Sequence, residues 1–143
     1  MTLALICLTG SRSWPAPRLL EDTLLDVWHD AIQDGYDGIE LMHGCADGAD
    51  TIGNDWAVRN GVPVRRRPAD WTGPCTPQCP SGHRRRNTRG GEYCPLAGPR
   101  RNQQMVDERP LLVVVASHRN STGTADCIRR AATAGIPVHR ITA

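Results

Sequence analysis

At 143 residues, 39% hydrophobic and 22% charged, the chain is of single-domain size and can bury a core without cross-links, which excludes wholesale disorder. Its only N-terminal apolar run, Leu3–Leu8, is too short for a signal-peptide core with its flanks or for a membrane span, so a soluble cytoplasmic protein with no membrane partner is expected. The net charge of +2 conceals a division: residues 1–58 carry −8, residues 59–101 carry +8 and residues 102–143 carry +2, with every Lys/Arg-type cation an arginine. A basic middle segment suits a phosphate, a nucleotide or nucleic acid, and equally a solvated arginine-rich loop.

In chain order, Leu3–Leu8 reads as a strand buried on both faces and ended by Thr9-Gly10-Ser11. From Pro17 to Gln33, residues Leu20, Leu24, Val27, Trp28, Ala31 and Ile32 recur at helical spacing, with Gly35 placed to cap the helix end. Ile39–His43 predicts a second strand, followed by a glycine-rich loop and a helix reaching about Asn60. Gly61-Val62-Pro63-Val64 starts a third, short strand. Pro68 to Pro99 is rich in Pro, Gly, Arg and Cys without aliphatic periodicity, so it cannot build a core by itself. Beyond it the pattern predicts a helix over Arg101–Glu108, a buried strand over Leu111–Ala116, a helix over Ala125–Ala134, and a last strand from Val138 to about Ile141.

Alternating strands and helices imply right-handed crossovers and a Rossmann-like, three-layer α/β fold with a parallel sheet: one domain over residues 1–143, with a small zinc-stapled insert at about 72–96. Ligands of such folds bind at the C-terminal strand ends, near the point where strand order reverses. Gly10-Ser11-Arg12 offers a glycine turn, a hydroxyl and a charged fork there, or simply a turn. His43-Gly44-Cys45-Ala46-Asp47-Gly48-Ala49-Asp50 suits a tight ligand loop, with Asp47 placed for a ribose hydroxyl. In that loop Asp50 alternatively caps a helix, and His43 reads better as a buried, hydrogen-bonded histidine than as a catalyst. Pro68–Trp71 follows the third strand, and Arg100-Arg101-Asn102 stands at the expected start of a helix, with forks and an amide for phosphate and ribose. Ser121-Thr122-Gly123-Thr124-Ala125 forms a phosphate cradle or an ordinary Thr-capped helix, and is not a Walker loop.

Together, Gly10-Ser11-Arg12-Ser13-Trp14, His43-Gly44 through Gly48-Ala49-Asp50, Asp55-Trp56-Ala57, Pro68-Ala69-Asp70-Trp71, Ala97-Gly98-Pro99-Arg100-Arg101-Asn102 with Met105, and Gly123-Thr124 resemble, in order, the YspA-like, YpsA-related branch of the SLOG superfamily, whose small members are common in actinobacteria and their phages. The resemblance implies a Rossmann-like fold that binds a nucleotide-derived small molecule, such as an ADP-ribose-like or cyclic nucleotide. The expected ligand-binding set is Gly10, Ser11, Arg12, His43, Gly44, Asp47, Gly48, Asp50, Asp70, Trp71, Gly98, Arg101, Asn102, Gly123 and Thr124. In the phosphoribohydrolases of the wider superfamily a catalytic Glu follows the Gly-Thr pair by three positions. Cys127 stands there in this chain, and Asp126 would project about 100° away on a helix. Binding or sensing is therefore favoured, with no residue assigned a catalytic role.

Cys75, Cys79, His83 and Cys94 form a Cys3His set suited to structural zinc, with all four positions taken by protein and none left for water. Three of the six cysteines crowd this one coreless segment, which favours metal over a disulfide framework. Two other functions compete: a hydrolase of nucleotide derivatives using Asp47, Asp50 or Asp126, and a nucleic-acid-binding module using Arg65–Arg67 and Arg84–Arg86 on phosphates. The sequence leaves the oligomeric state open; the resemblance allows a homodimer packed through helices, in which an exposed Trp28 or Trp56 would mark the interface.

Overall fold

The computed structural model describes every residue from Met1 to Ala143. Five parallel strands form the sheet in the order β3-β2-β1-β6-β7: β1 (Leu3–Gly10), β2 (Gly38–His43), β3 (Val64–Arg66), β6 (Leu112–Ser117) and β7 (Val138–Thr142). A separate two-stranded antiparallel ribbon pairs β4 (Arg85–Arg86) with β5 (Glu92–Tyr93). The helices are α1 (Pro17–Gln33), α2 (Ala49–Arg59), α3 (Ala97–Asp107) and α4 (Thr122–Thr133). The chain winds outward from β1 to β3, then crosses back to lay β6 on the other side of β1. The order therefore reverses between β1 and β6.

Strand periodicity explains why the sheet needs two covers. Ala4, Ile6 and Leu8 of β1 join Leu20, Leu24, Val27 and Trp56 in one core cluster. The intervening Cys7 joins Val113, Val115, Met105, Val106 and Ala131 in a second. Successive side chains of one strand thus enter opposite cores, one under α1 and α2, the other under α3 and α4. Neither cluster contains a residue between 65 and 104, so the insert lends nothing to either core. No helix is long and apolar enough to cross a membrane.

Three expectations shift. Helix α3 begins at Ala97, four residues before the expected Arg101, because a proline in the first turn, here Pro99, removes no intrahelical hydrogen bond. Arg100, Arg101 and Asn102 consequently act from within the helix. Helix α4 starts at Thr122 with Ser121 as its cap: the Ser121 hydroxyl accepts the Thr124 N–H at 3.3 Å, so Thr124 is not the capping residue. Trp28 and Trp56 meet edge to face at 5.9 Å; Trp56 is buried in the α1/α2 core, so it is a core residue, while Trp28 is partly buried against that core.

Candidate functional site

The end of β1 is stitched to the loop after β6. The Ser11 N–H donates to the Ala116 carbonyl at 2.9 Å, and the Ser11 hydroxyl donates to the His118 carbonyl and accepts the His118 N–H, both at 2.8 Å. That hydroxyl, expected to face a ligand, is committed to holding two strand ends together. Above the stitch lies a cleft of about 820 Å³, within the range of small-molecule sites.

Ten of the expected residues line this cleft: Gly10, Ser11, Arg12, Asp50, Trp71, Gly98, Arg101, Asn102, Gly123 and Thr124. Five do not. His43 is buried, its Nδ1 accepting the Cys45 N–H and its Nε2 donating to Asn54 Oδ1, both at 2.9 Å; both ring nitrogens are satisfied by protein. Gly44 serves Arg101, accepting a hydrogen bond from its guanidinium through the carbonyl and leaving room that any side chain would fill. Gly48 has φ +81° and sits against the Ser11 and Arg12 carbonyls, where a Cβ would collide. Asp47 is exposed outside the cleft, and Asp70 turns toward Gly73 in the chain leaving β3.

Asp50 does not cap α2, which starts behind Gly48. Its Oδ2 reaches back to accept the Gly44 and Ala46 N–H groups at 3.1 and 3.2 Å. Its Oδ1 is buried without any hydrogen-bond partner. Burial pushes this carboxyl up from its usual range, against the loop amides, His43 and Arg101, which pull it down. A buried acceptor without a partner is uncommon, and this one belongs to a residue that borders the cleft.

Arg101 donates from Nε to Asn102 Oδ1 at 3.0 Å and from Nη1 to the carbonyls of both Gly44 and Arg67. Arg12, Arg101 and Arg119 line the cleft, and no carboxylate pairs with any of them. Opposite, Asn102 Nδ2 ties α3 to α4 through Asp126 Oδ2 at 3.0 Å and the Gly123 carbonyl at 3.3 Å. Asp126, discounted on helical geometry, lines the cleft. Burial pushes its carboxyl up, but hydrogen bonds from Arg130 and Asn102 and the charges of Arg130 and Arg129 outweigh this and hold it below the ordinary range. Cys127, by contrast, is fully buried. His118, Arg119, Asn120 and Arg129 also face the cleft. Only the strand-end position of the first three hinted at this in the sequence.

In the insert, the donor atoms of Cys75, Cys79, His83 and Cys94 all lie within 4.8 Å of one another. The Cys79 and Cys94 sulfurs are 3.8 Å apart, and His83 Nε2 is 3.1 Å from Cys75 Sγ and 3.4 Å from Cys94 Sγ. No disulfide links them. A tetrahedron with metal–sulfur arms of about 2.3 Å and a metal–nitrogen arm of about 2.0 Å has edges of roughly 3.5 to 3.8 Å; the Cys79–Cys94 and His83–Cys94 separations lie near that range, and the His83–Cys75 separation is shorter. The cluster can therefore hold a metal ion. Arg100 points its guanidinium at the Cys79 and Cys94 sulfurs, and Arg84 points at Cys75, so two cations would offset the negative charge of three metal-bound thiolates. The Cys79 thiol is drawn down to about 6, first by the Thr76 hydroxyl, with Arg100 contributing.

Residues 5–73 match the YspA, cpYpsA-related SLOG family. The chain is 32% identical over 139 residues to the Gene 61 protein of Mycobacterium phage D29, covering 93% of this chain and 92% of that one. This chain belongs to that SLOG family. The fold is shared with DNA processing protein A (DprA) from Streptococcus pneumoniae, with TM-score 0.64 and 17% identity over 96% of this chain. The SLOG chain spans half the length of that DprA chain. It is also similar to TM1055, with TM-score 0.56 and 19% identity over 95% of this chain and 72% of the other.

The family match ends at residue 73, so the Cys3His cluster and the α3 and α4 walls of this SLOG cleft lie beyond it. The basic segment divides in the structure. Arg65 and Arg67 are taken by Glu108, and Arg65 also by Glu40; Arg84 pairs with Glu92 at 3.5 Å. Arg66, Arg85, Arg86 and Arg89 remain exposed.

Proposed function

We propose that this SLOG protein binds or senses a nucleotide-derived small molecule, of the ADP-ribose-like or cyclic nucleotide class, in the cleft at the β1/β6 reversal. The observation that carries this reading is the convergence there of Asp50, Arg101 and the α4 N-terminus, with Asp50 Oδ1 buried and without a hydrogen-bond partner. The first-turn amides of α4 favour an anion, the unpaired Arg101 adds charge, and the orphan Asp50 oxygen accepts a hydroxyl or amine that a bare phosphate lacks. Structural zinc in the Cys75, Cys79, His83, Cys94 cluster is part of the same reading, since three thiolates and an imidazole match its preferred donors.

A thermal-shift titration with ADP-ribose, cyclic nucleotides and NAD derivatives tests it. At a hundredfold excess over Kd a ligand stabilises the fold by about 2.7 kcal/mol, a readily measured rise in melting temperature that Arg101→Ala reduces. No shift with any of these at saturating concentration defeats the reading.

The desolvated carboxyl of Asp50 favours one second reading, a hydrolase of nucleotide derivatives with Asp50 as acid or base. The absence of a Glu at the Cys127 position weighs against N-glycosidic chemistry of the phosphoribohydrolase kind. Chromatography of incubated nucleotides with wild type and Asp50→Asn separates the two: turnover lost in the variant supports hydrolysis, and intact nucleotide in both supports binding.

A further inference from the structure

The cleft has a single large aromatic wall. Trp71 is the only Trp or Tyr among the side chains that line it, where the others are mostly small, polar or charged. Trp14 and Trp56 are buried, each 5% exposed, whereas Trp28 and Trp71 are partly open, and of these two Trp71 lines the cleft. Three contacts fix it. Its carbonyl accepts the Cys94 N–H at 2.8 Å. Its indole meets Tyr93 edge to face, with centroids 6.1 Å apart and planes at 77°. Its six-membered ring presses on the bare backbone of Gly98, where an added Cβ would stand 2.8 Å from Cη2. An indole packed against Tyr93 and Gly98, on a backbone tied to Cys94, is pre-organised beside the polar cleft for a flat partner, because little freedom remains to be lost on stacking.

We propose that Trp71 is the stacking platform for the base of the bound nucleotide, so that the site selects an aromatic base and not merely a sugar phosphate. This rests on the nucleotide reading above and adds the base to it. The arginines and α4 amides discriminate poorly among phosphorylated sugars, since all carry the same anion. A ring on Trp71 supplies the missing selectivity, and stacking tolerates any base because every base presents a π-face.

Two probes that share a phosphate and a ribose isolate the base: AMP and ribose 5-phosphate, each titrated by calorimetry into the metal-loaded protein. AMP is expected to bind at least about tenfold more tightly, the scale of one base–aromatic stack. Trp71→Leu should bring AMP down to the level of ribose 5-phosphate and leave ribose 5-phosphate where it was, while Trp71→Phe keeps most of the difference. Gly98→Ala, which drives a methyl into the indole, should act like Trp71→Leu. A readout in the unmodified protein covers the event that the leucine variant does not fold: AMP should quench part of the tryptophan emission and ribose 5-phosphate should not. Equal affinity for the two probes, or AMP binding without quenching, overturns the platform. Failure of both probes to bind instead overturns the nucleotide reading beneath it.

Discussion

The backbone N–H of Cys94 donates to the carbonyl of Trp71 at 2.8 Å. A residue of the Cys3His cluster thereby holds one wall of the cleft, and Arg100 extends the link by pointing from α3 at the Cys79 and Cys94 sulfurs while its neighbour Arg101 reaches the Gly44 carbonyl. The Cys3His cluster and the cleft are joined through adjacent residues of one helix. Because neither core includes the insert, its order has to come from elsewhere, and ligation supplies folding free energy directly.

Metal removal is therefore expected to disorder the insert and spare the sheet. Chelation, or Cys94→Ser, should leave far-UV circular dichroism close to native, lower the melting temperature by several degrees, and weaken AMP binding about tenfold. Metal content by atomic absorption and calorimetry on the same samples check this. A fully unfolded apo-protein would show instead that the core depends on the cluster.

Asp50 trades stability for an open acceptor. Its folded-state carboxyl is raised, chiefly by burial, so its favourable contribution is present below the unfolded range, about 3.9, and is lost as pH rises through the folded value. Wherever it is ionised, the buried, half-partnered carboxylate is a liability. Asp50→Asn should raise apo-protein stability at pH 7 by on the order of 1 kcal/mol while weakening nucleotide binding. Denaturant melts and binding titrations on the same variant test both halves.

Glu108 has the opposite sign. Hydrogen bonds from Arg67, then Arg65, hold its carboxyl below the usual range despite partial burial. Its contribution is complete above the unfolded range, about 4.3, and disappears as pH falls through the lower folded value. Glu108→Gln should cost about 1 kcal/mol at pH 7, limited by water around the pair, and almost nothing at pH 3. Melting temperatures across that window show whether the difference closes on the acid side.

Arg101→Ala should weaken nucleotide affinity by one to two orders of magnitude, the loss of a charge-assisted contact, with a smaller effect on stability through the Gly44 and Asn102 hydrogen bonds. Arg12→Ala, an exposed change on the rim, should weaken binding less and more so at low salt. Calorimetry at two ionic strengths distinguishes the inner arginine from the outer one.

The alternation of apolar strands with amphipathic helices made the parallel sheet legible, because strands buried on both faces need continuous apolar runs such as Leu3–Leu8 and Leu111–Ala116. The β4–β5 ribbon was illegible: Arg85-Arg86 and Glu92-Tyr93 carry no period, and the turn between them is set by Asn87 Oδ1, which accepts the Arg89 and Gly91 N–H groups. The Cys3His set was readable because ligand type and spacing survive without secondary structure. Strand-end placement leads to the residues around this cleft but does not give the direction of each side chain, so it brings in His43, Asp47 and Asp70, which do not line it. Asp126 was discounted for its angle from the Cys127 position, whereas its own face of α4 borders the cleft.

Amide chemical-shift mapping by NMR during an AMP titration tests the central claim most directly. Saturable shifts at Gly10, Ser11, Gly123, Thr124 and the Trp71 indole N–H are the predicted result. Shifts confined to the exposed hairpin arginines, or none at all, would contradict it.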